Sequence, residues 1–291
     1  LKVDLPAPFG KAVSETRATQ FKMNLQGPQQ RFDVAYADVA RLAYAAPAGK
    51  LGQGRGELLL GNGTAQLPAG QGLRVRGRLA QLDIEPWQKQ FEQMAGDDPG
   101  GNARQVLNSL DVSIGQLKGF GQTLNQAVVR LDRGSNFWNL RLDSKEVIGT
   151  ARLPDAKGAP IVINLPTLHL PPSDPADASA VDGPDPLADV DPRKIPAIDL
   201  SIGRLFLGDD LLGSVALKTR PTSKGVALND LDLNLKGLAI DGTATWEGTP
   251  GRSDSWYKGR LEGKNLADIL TSWGFAPTVT SRDFRLDVDG R

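Results

Sequence analysis

Leu110-Asp111-Val112-Ser113-Ile114-Gly115-Gln116-Leu117 returns 88 residues later as Ile198-Asp199-Leu200-Ser201-Ile202-Gly203-Arg204-Leu205. Apolar residues fall at every second position in both copies, the period of a β-strand that buries one face. The offset holds into Ala127-Val128-Val129-Arg130 against Val215-Ala216-Leu217-Lys218. Gly149-Thr150-Ala151 is answered by Gly242-Thr243-Ala244, and Arg76-Gly77-Arg78-Leu79 by Lys258-Gly259-Arg260-Leu261. Self-similarity at a fixed spacing marks a modular array, each module expected to be several strands ending in a short helix.

The same alternation fills the rest of the chain: Phe21, Met23, Leu25; Phe32, Val34, Tyr36; Leu73, Val75; Leu140, Leu142; Leu231, Leu233, Leu235. Between the last three stand Asp230, Asp232, Asn234 and Lys236, so one face is wet and antiparallel pairing is expected. Turns such as Gly61-Asn62-Gly63 and Gly208-Asp209-Asp210 separate the runs. The sequence predicts a mainly β fold with two or three short helices. One helix is expected from about Glu85 to Met94, with Pro86 early and Trp87, Phe91 and Met94 on one stripe. The clearest runs from Asn265 as N-cap through Leu266, Ile269, Leu270 and Trp273 to Gly274. A weaker candidate covers Asn102 to Leu110 through Val106 and Leu107. Trp87, Phe91, Trp273 and Phe275 are expected to plug a sheet edge, and Trp138, Trp246 and Trp256 to be ordinary strand residues.

Four segments follow: a β module over 1–95, a second over 96–170, a linker or disordered loop over 171–196, and a third module over 197–291 containing the helix at 265–273. The linker alternates Pro171, Pro172, Pro175, Pro184, Pro186 and Pro192 with Asp174, Asp177, Asp182, Asp185, Asp189 and Asp191. Its aspartates lack the spacing that wraps calcium. Both ends alternate as strands do, and the chain reads as a piece excised from a longer protein.

Composition narrows the function. Lys+Arg 34 balance Asp+Glu 34, so there is no net field to recruit nucleic acid. Cys 0 removes thiolate chemistry and disulfides. Gly 33 and Pro 20 favour many turns. No apolar run approaches the roughly 20 residues of a membrane-crossing helix. His169, the only histidine, sits in Leu168-His169-Leu170 without a nucleophile or metal partner in pattern. Asp97-Asp98 and Asp209-Asp210 fit turns better than an acid and base pair. Gly52, Gly54 and Gly56 lie between β runs, not before a helix, and do not cradle phosphate. No enzyme chemistry and no cofactor are expected.

The stretches Pro196-Ala197-Ile198-Asp199-Leu200, Gly242-Thr243-Ala244-Thr245-Trp246, Leu266-Ala267-Asp268-Ile269-Leu270 and Trp273-Gly274-Phe275, with the opening Leu5-Pro6-Ala7-Pro8-Phe9-Gly10-Lys11 and the run from Trp138 to Gly149, resemble the AsmA-like family, and within it the YhdP-type branch. The resemblance implies an elongated, strongly curved antiparallel sheet forming one continuous hydrophobic groove. It further implies a segment of a bridge-like protein that carries phospholipids between inner and outer membranes. The setting it implies is the periplasm, the full-length protein being anchored in the inner membrane of a Gram-negative bacterium. Acyl chains would be the partner, with membranes reached through other parts of the protein. The expected lining is Val112, Ile114, Leu140, Leu142, Leu200, Ile202, Val215, Leu217, Leu231, Leu233 and Leu235. The competing expectation is a structural or adhesive β-sandwich or solenoid array, in which the same leucines pair across two layers and hold no ligand.

Overall fold

The computed structural model describes residues 18–85, 106–119, 122–172 and 190–291. The chain forms two compact units, Leu1–Lys145 and Glu146–Arg291. Among the described residues it is mainly β: one mixed sheet of 16 strands, whose order in the sheet is their order in the chain, with one α-helix and two 3-10 turns.

The first unit holds β1 (Thr19–Asn24), β2 (Gln29–Tyr36), β3 (Ala40–Pro47), β4 (Arg55–Leu60), β5 (Gly72–Asp83), β6 (Leu107–Gly119), β7 (Gln122–Arg133) and β8 (Phe137–Asp143). The second holds β9 (Val147–Pro154), β10 (Ile161–Leu170), β11 (Ile198–Leu207), β12 (Asp210–Pro221), β13 (Gly225–Leu235), β14 (Leu238–Thr249), β15 (Arg252–Lys264), the helix α1 (Leu266–Ser272) and β16 (Asp283–Gly290).

Antiparallel pairing dominates, as the one-faced alternation predicts, but three neighbours run parallel: β4 with β5, β5 with β6, and β10 with β11. Parallel neighbours need a crossover that returns the chain to the starting end. Residues 61–71 supply the first; the other two connections, including residues 173–189 of the Pro-rich stretch expected as a linker, lie partly outside the described residues. Pro192–Lys194 forms a 3-10 turn capped by Asp191, which accepts from the Arg193 backbone N–H at 3.0 Å, and the turn packs against β13 and β14.

The repeat is structural as well as textual. β6 and β11 are its two quoted strands; each pairs parallel with the strand before and antiparallel with the strand after. Ala127 on β7 faces Ile114 as Val215 on β12 faces Ile202. Gly149 falls on β9 and Gly242 on β14, and Gly77 falls on β5 as Gly259 does on β15. The unit that repeats is therefore five strands, β6–β10 answered by β11–β15.

α1 forms where expected, with two differences. Asn265 adopts a left-handed backbone (φ 53°) and offers no side-chain cap to the helix N–H groups; its amide instead donates to the Asp268 carboxylate. Of the stripe Leu266, Ile269, Leu270 and Trp273, only Ile269 is buried. Trp273 and Phe275 are exposed and do not plug an edge. The weaker helix candidate is overturned over its second half, because Leu107–Leu110 begins β6, where pairing with β5 outweighs a marginal helical stripe. The expected helix at 85–94, beyond Glu85, lies outside the described residues, as do Asp97 and Asp98.

Candidate functional site: a one-faced sheet

Cross-strand register aligns the alternating residues into rows. In the second unit, Leu165, Ile202, Val215, Leu233, Ile240, Leu261 and Leu286 lie opposite one another in succession across the seven strands β10 to β16. A parallel row runs Leu205, Gly213, Leu235, Leu238, Gly263, Phe284, and a third joins Leu231, Gly242, Gly259 and Val288. Residues directly opposite share a face, so these rows form one apolar surface. The other face is charged. Asp232, Asp241, Arg260 and Asp287 form one of its rows, and Arg260 meets Asp287 at 3.1 Å while Lys258 meets Asp289 at 2.9 Å.

The first unit repeats the arrangement. Phe21, Val34, Leu42, Leu58, Val75, Leu110, Leu131 and Leu140 make a row across β1 to β8, flanked by Leu60, Gly77, Val112, Val129 and Leu142. Its other face carries Asp111 paired with Arg130 at 3.4 Å. Glu57 lies there too, 3 % exposed, gripped by Arg76 at 2.8 Å and Arg74 at 3.7 Å. The β4–β5 crossover lies on this side, where the Gln66 N–H donates to Glu57 and Arg76 donates to the Thr64 carbonyl. Burial pushes the Glu57 carboxyl up, but the hydrogen bonds from Arg76 and Gln66 and the two guanidinium charges hold it below the ordinary carboxylate value.

Strand kinks decide which residues reach the apolar face. Ile114 and Leu117 are three apart yet belong to one packed cluster with Val112 and Ala127. The backbones crowd at the intervening Gly115, where a Cβ would stand 2.6 Å from the Ala80 carbonyl oxygen. Gly213 approaches its neighbour still more closely: with φ 140°, its Cβ would fall 1.8 Å from the Asn234 carbonyl oxygen. Such positions admit only glycine.

The eleven expected lining residues all fall on these apolar faces, four in the first unit and seven in the second. Their access differs. Val112, Ile114 and Ile202 are buried, while Leu140, Leu142, Leu200, Val215, Leu217, Leu231, Leu233 and Leu235 are half-buried. Around Val112 and Ile114 the sheet's own side chains close over the face, with Leu79, Leu82, Ile84, Leu124 and Val129 packed against the cluster. In the second unit the strands pack on their sheet neighbours, the 3-10 turn Pro192–Lys194 packs on β13 and β14, and Ile269 of α1 approaches Gly263 and Gly237. Sequence reasoning missed Leu165, Ile240, Leu261 and Leu286; only the register shows that they extend the row.

One hollow, about 700 Å³, is lined by Asn234, Ala239, Glu262 and Arg285 of the charged face together with Gly263 and Phe284 of the second apolar row. His169 is a strand residue stacked on Phe206, ring centroids 4.3 Å apart. Asp209 occupies a turn, and Asp210 pairs with Lys236 at 2.6 Å. Among the described residues no cluster of His, Asp or Glu is arranged to hold a metal ion, and no helix is long and apolar enough to cross a membrane.

Rows of aliphatic side chains on a repeated five-strand block, with rows of charges on the reverse, define a modular, two-faced β-sheet protein. The chain belongs to the YhdP protein family, whose model matches residues 1–291. Comparison with curated proteins and with solved structures returns no match.

Proposed function

We propose that this chain is a non-catalytic segment of a bridge-like protein that carries phospholipids between inner and outer membranes, with acyl chains lying against the apolar face. The observation that carries the reading is the row from Leu165 to Leu286: seven strands wide, aliphatic throughout, and with only Ile202 among its members buried. An apolar sheet face must be covered, and a mobile acyl chain can do so. Each CH₂ buried contributes about 0.8 kcal/mol, enough over a chain of roughly 16 carbons to retain a lipid and small enough per step to let it slide. The eleven residues from Val112 to Leu235 form the lining, four in the module at 96–170 and seven in the module at 197–291. The setting is the periplasm, with an inner-membrane anchor elsewhere in the full-length protein.

The test is lipid extraction of the purified chain followed by mass spectrometry. Phospholipid should co-purify, and repeated lipid-free preparations overturn the reading. A structural array without ligand draws on one observation, the closed cluster around Val112, Ile114, Leu117 and Ala127. That reading predicts the lipid-free result.

A further inference from the structure

Residues 265–282 leave the sheet between β15 and β16, and the base of this excursion is closed, since the Asn265 N–H donates to the Arg282 carbonyl at 3.0 Å. Movement about that base leaves the pairing of both strands intact. Asn265 itself turns on a left-handed backbone, φ 53°. Gly263, just before it, follows Gly259 and Leu261 at strand spacing and so belongs to the apolar face. A Cβ added to Gly263 would stand 2.6 Å from the Ile269 Cδ1. α1 therefore overhangs the apolar face beside the row Leu205, Gly213, Leu235, Leu238, Gly263, Phe284.

Little holds α1 in that place. Ile269 is its one buried residue, and the hydroxyls of Thr271 and Ser272 donate back to the Ala267 and Ile269 carbonyls within the helix. A helix of 7 residues is marginal by itself. Its far end is fastened by Lys236, whose side chain is 17 % exposed. The Lys236 ammonium donates to the Ser272 carbonyl at 2.7 Å, meets Asp210 at 2.6 Å and lies 5.7 Å from the centre of the Trp273 ring. A cation is favoured both at a helix C-terminus and over an indole face.

The turn itself would prefer another residue. Lys236 and Gly237 are the two-residue connection between β13 and β14, with φ 48° and 82°. Turns with both central residues at positive φ favour Asn-Gly, and a lysine in the first place carries backbone strain. That strain is spent on a latch: one ammonium joins α1, the start of β12 and the β13–β14 turn.

We propose that residues 265–282 are a hinged flap over the apolar face, latched by Lys236, which lifts to admit an acyl chain along the row from Leu205 to Phe284. The flap rests on the lipid-carrying reading above. Methylenes of the entering chain take the place of Ile269 over Gly263, so one aliphatic contact replaces another and lipid binding itself favours the open state.

The test follows uptake of pyrene-labelled phosphatidylcholine from phosphatidylcholine vesicles by the whole chain in stopped flow, beside amide exchange of residues 266–273. Lys236→Asn removes the latch with a residue that suits the turn, and Ile269→Ala removes the anchor. Each should speed exchange in 266–273 and lipid uptake by about fivefold, the scale of one partly screened ion pair, while β14 exchanges as before. Unchanged exchange in Lys236→Asn overturns the latch. Faster exchange with uptake at the wild-type rate overturns the flap as a gate and leaves the lipid reading standing. No uptake by the wild type or either variant overturns the lipid reading and the flap together.

Discussion

Ile202 lies opposite Val215, and Leu205 lies opposite Gly213, so two residues three apart on β11 meet two residues two apart on β12. The extra residue is absorbed at Gly203 and Arg204, and both aliphatics keep to the same face. Gly203 stands close under β10, where a Cβ would come within 3.2 Å of the Pro166 carbonyl oxygen. Ile202-Gly203-Arg204-Leu205 thus encodes a kink that rescues alternation after a one-residue slip, whereas in the other copy Ile114 and Leu117 stay in register with Ala127 and Leu124.

The sharpest test of these close approaches is Gly213→Ala. Its side chain would collide with the Asn234 carbonyl in a backbone region closed to most residues, and we expect a loss of about 2 kcal/mol or more. Gly158→Ala, also at positive φ but in open space, should cost about 1 kcal/mol. Urea denaturation of both variants measures the difference, and equal losses would refute the crowding argument.

A charge on the apolar rows separates carrying lipid from merely folding. Leu233 is half-buried, and Leu233→Asp should retain the far-ultraviolet circular dichroism of the sheet while reducing co-purified phospholipid severalfold. Asp232→Lys, one residue away on the charged face, should leave lipid content unchanged. Ile202, being buried, is the poorer choice because Ile202→Asp would unfold its surroundings as well.

Acid should loosen the β4–β5 crossover. The Glu57 carboxyl is held below its ordinary value, so its contribution is complete above the unfolded-state pKa and is lost as pH falls through the lower, folded one. Glu57→Gln should remove that part of the acid sensitivity and cost about 1–2 kcal/mol near neutrality, because Arg74 and Arg76 keep access to water. Stability curves from pH 7 down to pH 3 provide the check.

Ile269 is the one buried residue of α1, resting on Gly263 and Gly237. Ile269→Ala should cost about 2–4 kcal/mol locally and release residues 265–282, visible as faster amide exchange there while β11–β14 stay protected.

Much of this was legible in the residues themselves. Alternation at Leu231, Leu233 and Leu235 gave the wet and dry faces, and the 88-residue echo located two equivalent strands. α1 was readable because an i, i+3, i+4, i+7 stripe ended on a glycine. Direction of pairing was not, since β10 and β11 alternate identically whether their neighbour runs parallel or antiparallel. The burial of Val112 and Ile114 depends on Leu79, Leu82 and Ile84 arriving from a strand about 35 residues earlier, which no local window contains.

Because every strand is bonded to those just before and after it in the chain, each can dock as soon as it leaves the ribosome, without waiting for a distant segment. Synthesis would pause the growing sheet only at the crossovers, where a longer stretch must emerge before the next parallel neighbour can return. A protein assembled this way can gain or lose five-strand blocks over evolution without revising its folding route.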